Sequence, residues 1–392
     1  MISIPEAISI VKNHSKSLEG SINLPIEKAM GYRLYNDVYS PINMPPFRQS
    51  AMDGYALCLH DDLNYKLKGE IKAGDGEHPI LNPGDAYRIF TGAAVPVTSN
   101  AVMMQEKVEV NDKVITIEHS ISPETNIRPM AEQVKKGEIA LKKHTKLIPA
   151  SIGYLSSLGI TDVSVFKKPS VAIVTTGNEL VEGGQPLVYG KIYESNSKML
   201  SSALNSLGFY DITTYKVQDN YNTTVEILNK AISNTDLVII TGGISVGDYD
   251  FVGKALNELQ VEEHFYKVKQ KPGKPLFFGT KQNTSVFALP GNPAAALSCF
   301  YLYVYIALQI MTQNDSIELP RTKAVSTSKY IRKGDRPQFL KAIYKDDKAH
   351  ILEGQASSMQ QTFAVSNALV YVSEDITSID IGDPVETILL PV

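Results

Sequence analysis

Carboxylates follow two apolar runs of the sequence, at positions where strands of a sheet would end. Glu179 comes shortly after the run 171–174, and Asp248 and Asp250 come shortly after the run 237–240. In open α/β sheets, ligands bind at the carboxyl ends of the strands. Carboxylate oxygens hold Mg²⁺, and an ion between them and a phosphate removes the repulsion of like charges. These positions favour Mg²⁺-assisted handling of a phosphorylated or nucleotide ligand, although a solvated surface loop accounts for Glu179 equally well.

The turn that carries the two aspartates is rich in glycine. It contains Gly242, Gly243 and Gly247, with Ser245 between them. Glycine lets backbone N–H groups approach an oxyanion such as phosphate. No Gly-Lys-Ser/Thr follows, so the turn is not a Walker A loop, and its spacing also differs from the Rossmann fingerprint. A glycine turn with solvated carboxylates is the simpler alternative.

Two lysines flank the next candidate turn. Lys271 and Lys274 enclose Pro272 and Gly273, and the proline restricts the backbone so that the lysines are partly pre-positioned. Compact ammonium charges suit phosphate and other oxyanions. The alternative is a solvated basic turn.

A second anion site is indicated where the run 285–289 gives way to a helix. Pro290 and Gly291 precede Asn292, a favourable N-cap, and Pro293 suits the first helical position. The free N–H groups at such a helix start bind anions. The same residues are also good helix-start signals without any ligand.

Other reactive chemistries have little support in the sequence. Cys58 and Cys299 are far apart, which argues against a disulfide framework and indicates buried apolar roles. The seven histidines include no pair spaced for zinc on one helix. No Ser-His-Asp triad or nucleophilic cysteine is recognisable. The net charge of −4 argues against non-specific nucleic-acid binding, so no nucleic-acid partner is expected.

The pattern of elements predicts a multidomain α/β plus β protein. Strands alternate with amphipathic helices over 169–313, which predicts a central doubly wound, mostly parallel α/β domain. Short apolar runs between turn residues predict a β-rich inserted domain over 46–139. Residues 1–45 with 140–168 are expected to form a helical connector domain, and 314–392 a small C-terminal β-barrel.

The chain start and the longest apolar run bear on location. The first residues lack a basic region followed by an apolar one, so no signal peptide is expected. The apolar run 294–311 contains Ser298, Gln309 and several tyrosines, which is more typical of a buried helix than of a membrane span. A cytoplasmic protein without a membrane partner is the expectation.

The turns resemble those of the MoeA/gephyrin E-domain family, the molybdopterin molybdenumtransferases, and the resemblance covers nearly the whole chain. Each motif alone is weak evidence for the family, but seven of them in the order found in the family are specific. The motifs are Ser50-Ala51-Met52-Asp53-Gly54-Tyr55-Ala56, Ile89-Phe90-Thr91-Gly92-Ala93, Thr176-Gly177-Asn178-Glu179-Leu180, Tyr193-Glu194-Ser195-Asn196, Gly242-Gly243-Ile244-Ser245-Val246-Gly247-Asp248, Lys271-Pro272-Gly273-Lys274-Pro275 and Leu289-Pro290-Gly291-Asn292-Pro293.

The resemblance implies an activity, a set of site residues and partners. The reaction would insert molybdate into adenylylated molybdopterin with Mg²⁺ and release AMP. Matching positions make Asp53, Thr91, Glu179, Asp219 and Asp248 catalytic residues, with Glu179 and Asp248 also at the metal and Lys271 and Lys274 at oxyanions. Substrate would also contact Gly242, Gly243, Ser245, Gly247, Asp250, Pro290, Gly291, Asn292 and Pro293.

The resemblance also implies a homodimer. Its active site would lie between the α/β domain of one subunit and the β-rich insertion of the other. Transient partners would be a molybdopterin adenylyltransferase and the apo-molybdoenzymes that receive the cofactor. The residues do not distinguish molybdate from tungstate.

The sequence departs from the family pattern in three places. Thr98-Ser99-Asn100 replaces a Gly-Ala-Asp, and Asn178 stands where Asp is common, which removes a charge beside Glu179. The run 357–361 replaces a glycine- and serine-rich run. A contact of the last domain with the site is therefore not predicted.

Three other functions share features with this sequence. A molybdopterin adenylyltransferase has the α/β domain but essentially nothing else, whereas this chain has further domains. A nucleotide-processing enzyme of the CinA type lacks the region around Met52-Asp53-Gly54. A scaffold that anchors other proteins is a different class, but no interaction motif marks it here.

Overall fold

The computed structural model describes residues 1–244 and 251–392. By their contacts these residues form two compact units, Met1–Gly20 with Phe166–Val392 and, separately, Ser21–Val165. The finer division into four domains stays a prediction. Ser245, Gly247, Asp248 and Asp250, predicted as site residues, lie outside the described residues.

The first unit is built on a six-stranded sheet with the order β2-β1-β3-β6-β5-β4. The strands are β1 (Val171–Thr176), β2 (Ile212–Val217), β3 (Leu237–Thr241), β4 (Glu262–Lys267), β5 (Pro275–Lys281) and β6 (Thr284–Leu289). Strands β2, β1, β3 and β6 run parallel, whereas β5 is antiparallel to both β6 and β4. The sheet is thus mostly parallel, as predicted.

Helices cover both faces of this sheet. Every residue of β1 and β3 is buried. Val171 and Ile173 pack into one apolar cluster, and Ala172 and Val174 pack into another on the opposite face. This is the pattern that burial on both sides requires. The helices are Asn196–Ser206, Tyr221–Asn234, Phe251–Glu258 and Pro293–Cys299, the last continuing as a π-turn Phe300–Val304 and a helix Tyr305–Met311.

The segment Pro293–Met311 is long and apolar enough to cross a membrane, with a mean hydropathy of 1.7. Within the fold, however, 83% of it is buried. Core helices of soluble proteins share this character, and the prediction of a buried helix is consistent with this placement.

The N-terminal helix Ile4–His14 belongs to the first unit. Ser3 and Glu6 form a capping box, in which the Glu6 amide donates to the Ser3 hydroxyl and the Ser3 amide donates to the Glu6 carboxylate. The buried face of this helix joins the same apolar cluster as the helix Tyr305–Met311. Helix 4–14 therefore packs on the α/β domain.

The C-terminal region forms a closed five-stranded β-barrel, which confirms the predicted barrel. Its strands in barrel order are Arg321–Ser326, Lys348–Ile351, Gln338–Lys345, Ala368–Val372 and Pro384–Leu389. A short pair, Tyr330–Ile331 with Ser378–Ile379, and a helix, Gln360–Ala364, lie outside the barrel wall.

The second unit contains the predicted β-rich region. Its main sheet has six strands in the order Ala101–Met104, Gly54–Leu57, Asp85–Ile89, Asn64–Ile71, Val114–Ile117 and Val108–Asn111. Shorter elements are the strands Ser21–Pro25, Val38–Tyr39, Gln49–Ser50, Ile127–Arg128, Ile139–Leu141 and Asp162–Phe166, the 3-10 turns Ile26–Lys28 and Gln105–Lys107, and the helix Pro149–Ser157.

Candidate active site

The carboxyl ends of β1, β3 and β6 are level with one another. Thr241 is in register with Thr175 on one side and with Leu289 on the other. The turns that follow these strands therefore meet at one edge of the sheet, around a cavity of about 560 Å³. Its wall includes Thr176, Glu179, Glu194, Asn196, Gly242, Pro275, Pro290, Gly291, Asn292, Pro293 and Ser358.

Glycine is required where two of these turns touch. Gly242 has φ +87°, and a Cβ added there would lie 2.5 Å from the Thr176 carbonyl oxygen. Gly243 has φ +62°, and its Cβ would lie 2.7 Å from the Thr176 hydroxyl. Side chains are disfavoured at such φ values in any case. The predicted glycine turn is therefore packed directly on the end of β1.

Two residues of the cavity wall, Thr176 and Asn196, each hold a buried polar atom that has no hydrogen-bond partner among the described residues. Asn196 donates from Nδ2 to Thr241 Oγ1 at 2.7 Å and to the Gly291 carbonyl at 2.8 Å, which fixes its side chain. Its Oδ1 is buried and, among the described residues, has no partner, and the same holds for Thr176 Oγ1. An unsatisfied buried polar atom costs about 1–3 kcal/mol. These two atoms therefore mark the part of the wall where the polar groups are least satisfied by the described residues.

Thr176 and Asn196 were not among the predicted site residues. Thr176 is the last residue of β1, and Asn196 belongs to the Tyr193-Glu194-Ser195-Asn196 motif. That motif was the available signal. The motif did not predict a chemical role, because the unpartnered Asn196 oxygen can be recognised only once the partners of the Asn196 amide nitrogen are known.

Glu179 lies on the cavity wall, as predicted. Its carboxylate folds back over Gly177, where an added Cβ would lie 2.5 Å from Oε2. Gly177 has φ +142°. The Ile192 amide donates to the Glu179 carbonyl at 2.9 Å, and Lys191 Nζ donates to the Asn178 carbonyl at 2.6 Å. The loop is thus held from the strand Ile192–Tyr193.

Asp219 is joined to the same loop. The Asn178 amide donates to Asp219 Oδ2 at 3.2 Å, and the Asp219 amide donates to Asn178 Oδ1 at 3.0 Å. Asp219 is not part of the cavity wall among the described residues. The structure therefore brings Asp219 to the Glu179 loop and gives it a structural partner there.

A buried glutamine, Gln270, holds the turn that carries Lys271 and Lys274. Gln270 is 0% exposed, donates from Nε2 to the Gly273 carbonyl at 3.2 Å and accepts from the Tyr303 hydroxyl. A Cβ on Gly273 would lie 2.4 Å from Cys299 Sγ, so the turn also sits on the helix Pro293–Cys299. Burial raises the pKa of the Cys299 thiol to about 12, which leaves it protonated and non-nucleophilic at neutral pH.

The same turn is joined to the barrel. The Lys271 amide donates to the Pro337 carbonyl, and the Phe339 amide donates to the Lys271 carbonyl, both at 2.9 Å. Pro275, directly after Lys274, lies on the cavity wall. Lys274 is exposed and Lys271 half-buried. Pro275 thus brings the end of this turn to the cavity, whereas neither Lys271 nor Lys274 belongs to the wall among the described residues.

Asn292 stands at the N-cap and Pro293 at the first helical position, as predicted, but the side chain does not cap the helix. Instead Asn292 Nδ2 donates to Ser357 Oγ at 2.8 Å. Ser358, the next residue, lies on the cavity wall. The barrel region therefore contacts the site, although the sequence did not predict such a contact. The run 357–361 differs in sequence from the family pattern, but its serine hydroxyls still reach the rim.

The remaining predicted pair, Asp53 and Thr91, lies in the second unit. The Thr91 amide and hydroxyl donate to Asp53 Oδ1 at 2.7 and 2.8 Å. These bonds, the amide first, lower the pKa of Asp53. Gly54 is required next to it, because a Cβ would lie 1.9 Å from the Met103 carbonyl oxygen. The two Thr91 hydrogen bonds therefore orient the Asp53 carboxylate and favour its charged form.

The described residues offer oxygen ligands for Mg²⁺ but do not enclose it. They contain no group of three or more His, Cys, Asp or Glu side chains that could hold a metal. Both carboxylate oxygens of Glu194 already accept hydrogen bonds, one from the Ser197 amide at 2.8 Å and the other from the Ser197 hydroxyl. A single carboxylate on the wall, Glu179, fits an ion that keeps most of its water or substrate ligands, as Mg²⁺ does.

Comparison with known proteins gives matches along most of the chain. Family models described as "MoeA N-terminal region (domain I and II)", "Probable molybdopterin binding domain" and "MoeA C-terminal region (domain IV)" match residues 2–159, 172–309 and 323–390. A "Molybdopterin molybdenumtransferase" of Haemophilus influenzae is 34% identical over 372 residues, covering 92% of each chain.

More distant relatives cover the chain to a similar extent. A "Molybdopterin molybdenumtransferase 2" of Mycobacterium tuberculosis is 30% identical and covers 92% of this chain and 93% of its own. The crystal structure of the molybdopterin biosynthesis moeA protein of Pyrococcus horikoshii OT3 superimposes with a TM-score of 0.83 at 29% identity, over 99% of this chain and 100% of that one.

Proposed function

This chain belongs to the MoeA family of molybdopterin molybdenumtransferases, as its motifs predicted, and from that premise we propose how its site handles its substrates. The chain is a transferase of molybdenum-cofactor biosynthesis that inserts molybdenum into molybdopterin. We propose that the form used is adenylylated molybdopterin, that molybdate is the second substrate, and that AMP is released with the help of Mg²⁺.

One observation carries the proposal for the site. Thr176 and Asn196, whose buried Oγ1 and Oδ1 have no partner among the described residues, belong to the wall of the cavity formed by the ends of β1, β3 and β6. Phosphate-bearing ligands of such sheets bind at this edge. The cavity, of about 560 Å³, also has the size of a small-molecule site.

The mechanism we propose is electrostatic. Glu179 and Asp248 would hold Mg²⁺, which when bound offsets the charge of the phosphoanhydride. Lys271 and Lys274, on the turn that leads to the wall residue Pro275, would attract molybdate and the phosphates. Water cleaves the phosphoanhydride, which releases AMP and leaves the phosphate on the pterin. Molybdenum bonds to the two dithiolene sulfurs as one molybdate oxygen leaves as water with the two thiol protons. Pre-placed charges of this kind stabilise the transition state without reorganisation.

The other predicted residues take supporting roles in this proposal. The glycine turn from Gly242 to Gly247, with Ser245 and Asp250, would lie against the phosphates, as would the turn 290–293. Asp219 would keep the Glu179 loop in place through Asn178. Asp53 and Thr91 would complete the site from a second copy of the chain in a homodimer.

The cellular setting is part of the proposal. A molybdopterin adenylyltransferase would supply the substrate, and apo-molybdoenzymes would receive the product. Both processes belong in the cytoplasm, where we place this chain. Cell fractionation with an antibody to the chain tests that location.

The deciding experiment measures AMP release from adenylylated molybdopterin with and without molybdate and Mg²⁺. We expect release that depends on both and a product that activates an apo-molybdoenzyme. Adenylylation of free molybdopterin by ATP, without this release, would move the function one step upstream. Binding without any turnover would favour the scaffold alternative.

A further inference from the structure

Lys341 is a buried lysine in the barrel strand Gln338–Lys345. Only 4% of it is exposed, and its Nζ donates to the carbonyls of Gly354, Ala356 and Met359 at 2.8, 3.2 and 3.1 Å. Burial lowers the pKa of this ammonium group. Among the described residues its hydrogen-bond partners are backbone carbonyls of one loop and not carboxylates.

The loop 352–359 is joined to Lys341 through its backbone as well. Gln355 Oε1 accepts from the Lys341 amide at 2.9 Å, and Gln355 Nε2 donates to the Lys341 carbonyl at 2.9 Å and to the Leu352 carbonyl at 2.7 Å. The backbone and the ammonium group of Lys341 therefore both bond to the loop 352–359.

This loop carries the barrel residues that reach the cavity. Ser357 Oγ accepts from Asn292 Nδ2, and Ser358 lies on the cavity wall. At the end of the loop Gln360 Nε2 contacts Met199 Sδ at 3.4 Å. The loop therefore runs from the barrel strand to the rim of the site. Among the described residues, Lys341 is the only lysine or arginine whose side chain donates to it.

We propose that Lys341 is a positioning residue for the active site: its ammonium gathers the loop carbonyls and so holds Ser357 and Ser358 against the cavity. The effect on catalysis rests on the function proposed above, whereas the effect on the loop does not. A role limited to barrel stability predicts instead that Lys341→Met lowers the unfolding midpoint, through the carbonyls left without a donor, and leaves the KM unchanged. The positioning role predicts a largely unchanged midpoint, because replacing a buried charge by an apolar side chain of similar length is often neutral.

The test compares Lys341→Met and Lys341→Arg with Lys345→Met, the same substitution at an exposed position of the same strand. We expect Lys341→Met to keep its unfolding midpoint but to exchange amide hydrogens of 352–360 faster. With adenylylated molybdopterin and molybdate, its KM should rise on the order of tenfold with a smaller change in kcat, because a displaced wall weakens substrate placement. Lys341→Arg, which still donates to carbonyls, should recover part of both effects.

The loop measurement needs no substrate, so the outcomes remain separate. Inactive wild-type protein with faster exchange in Lys341→Met would remove the proposed reaction and leave the loop role intact. Unchanged exchange and unchanged KM in Lys341→Met would overturn the inference. If Lys341→Met does not fold, a wild-type KM in the double variant Ser357→Ala/Ser358→Ala would overturn the inference, because the loop hydroxyls would then take no part in substrate placement.

Discussion

Thr91 donates its backbone amide and its hydroxyl to the same carboxylate oxygen of Asp53, at 2.7 and 2.8 Å. Hydrogen bonds to the charged form favour it, so the pKa of Asp53 lies below its ordinary value of 3.8. Asp53 therefore remains a carboxylate throughout the physiological range. It can accept hydrogen bonds or face a cation, but it cannot serve as a general acid at neutral pH.

Removing the Thr91 hydroxyl should move the pKa of Asp53 back towards 3.8. Thr91→Val keeps the stronger amide bond, so we expect a partial upward shift, measured by carboxyl-carbon NMR between pH 2 and 6. The stabilisation from a lowered carboxyl pKa is present above the unfolded pKa of about 3.9 and is lost as pH falls through the folded pKa. The stability difference between variant and wild type should therefore shrink in acid.

Thr116→Val is the matched control, since the Thr116 hydroxyl donates to the Asn64 amide oxygen and to no carboxylate. Its stability difference should not depend on pH. An Asp53 pKa that stays the same in Thr91→Val would show that the hydroxyl contributes nothing to this anchor.

Two glycines on the cavity wall should respond very differently to alanine. Gly242→Ala places a methyl group 2.5 Å from the Thr176 carbonyl at φ +87°. Gly291→Ala places one 3.6 Å from the Gly242 Cα, an ordinary contact. We expect Gly242→Ala to lose about 1–3 kcal/mol of stability from the strained conformation, and Gly291→Ala to lose under about 1 kcal/mol. Urea unfolding of both variants measures this, and equal losses would contradict the geometry.

The central sheet was largely predictable because its strands are short apolar runs bounded by glycines. The predicted runs 171–174, 237–240 and 285–289 all lie within observed strands. Strand β5 was not predicted, although Leu276, Phe277 and Phe278 follow the lysine turn as an apolar run. Its antiparallel direction depends on pairing with β6 and β4, which no local pattern contains.

The site was predictable in its turns but not in its unpartnered atoms. Glu179 and the helix start at Asn292 follow strand ends, and strand ends can be located from sequence. The bond from Asn292 to Ser357 joins residues 65 positions apart, so it had no sequence signal. Lys341 was missed for a related reason: a lysine in a strand pattern is usually exposed, and only the barrel shows that it is buried.

Asp248→Asn should abolish metal insertion while leaving the fold intact. The substitution keeps the size of the side chain and removes the charge that would hold Mg²⁺, so kcat for AMP release should fall about 100-fold or more. Circular dichroism should not change. Glu226→Gln, an exposed change in the same domain, should keep full activity.

A chelator should have the same effect on the wild type, and added Mg²⁺ should restore turnover. Normal AMP release by Asp248→Asn would remove Asp248 from the site. Turnover that persists in the chelator would remove the metal from the mechanism.

The chain should form a dimer of twice its 43.0 kDa mass, measured by light scattering on an eluting peak. If each site combines residues of two copies, mixing Asp53→Asn with Asp248→Asn should restore activity. Each mixed dimer would then hold one doubly altered site and one intact site, which gives about a quarter of the wild-type activity after random exchange. A concentration-independent monomer, or no recovery on mixing, would exclude the shared site.

His264 should make the first unit sensitive to mild acid. Its side chain is 5% exposed and stacks on His14 with ring centroids 3.7 Å apart, while Nε2 contacts Thr280 Oγ1 at 2.8 Å. Burial first, and then the neighbouring His14, lower the pKa of His264 against the opposing charge of Glu262. A histidine with a lowered folded pKa binds fewer protons folded than unfolded, so stability is unaffected above the unfolded pKa of about 6.5 and falls as pH drops below it.

His264→Gln, which can still bond to Thr280, should flatten the dependence of the urea midpoint between pH 7.5 and 5.5, whereas His78→Gln at an exposed position should not. An identical pH dependence in His264→Gln and wild type would show that another group titrates there.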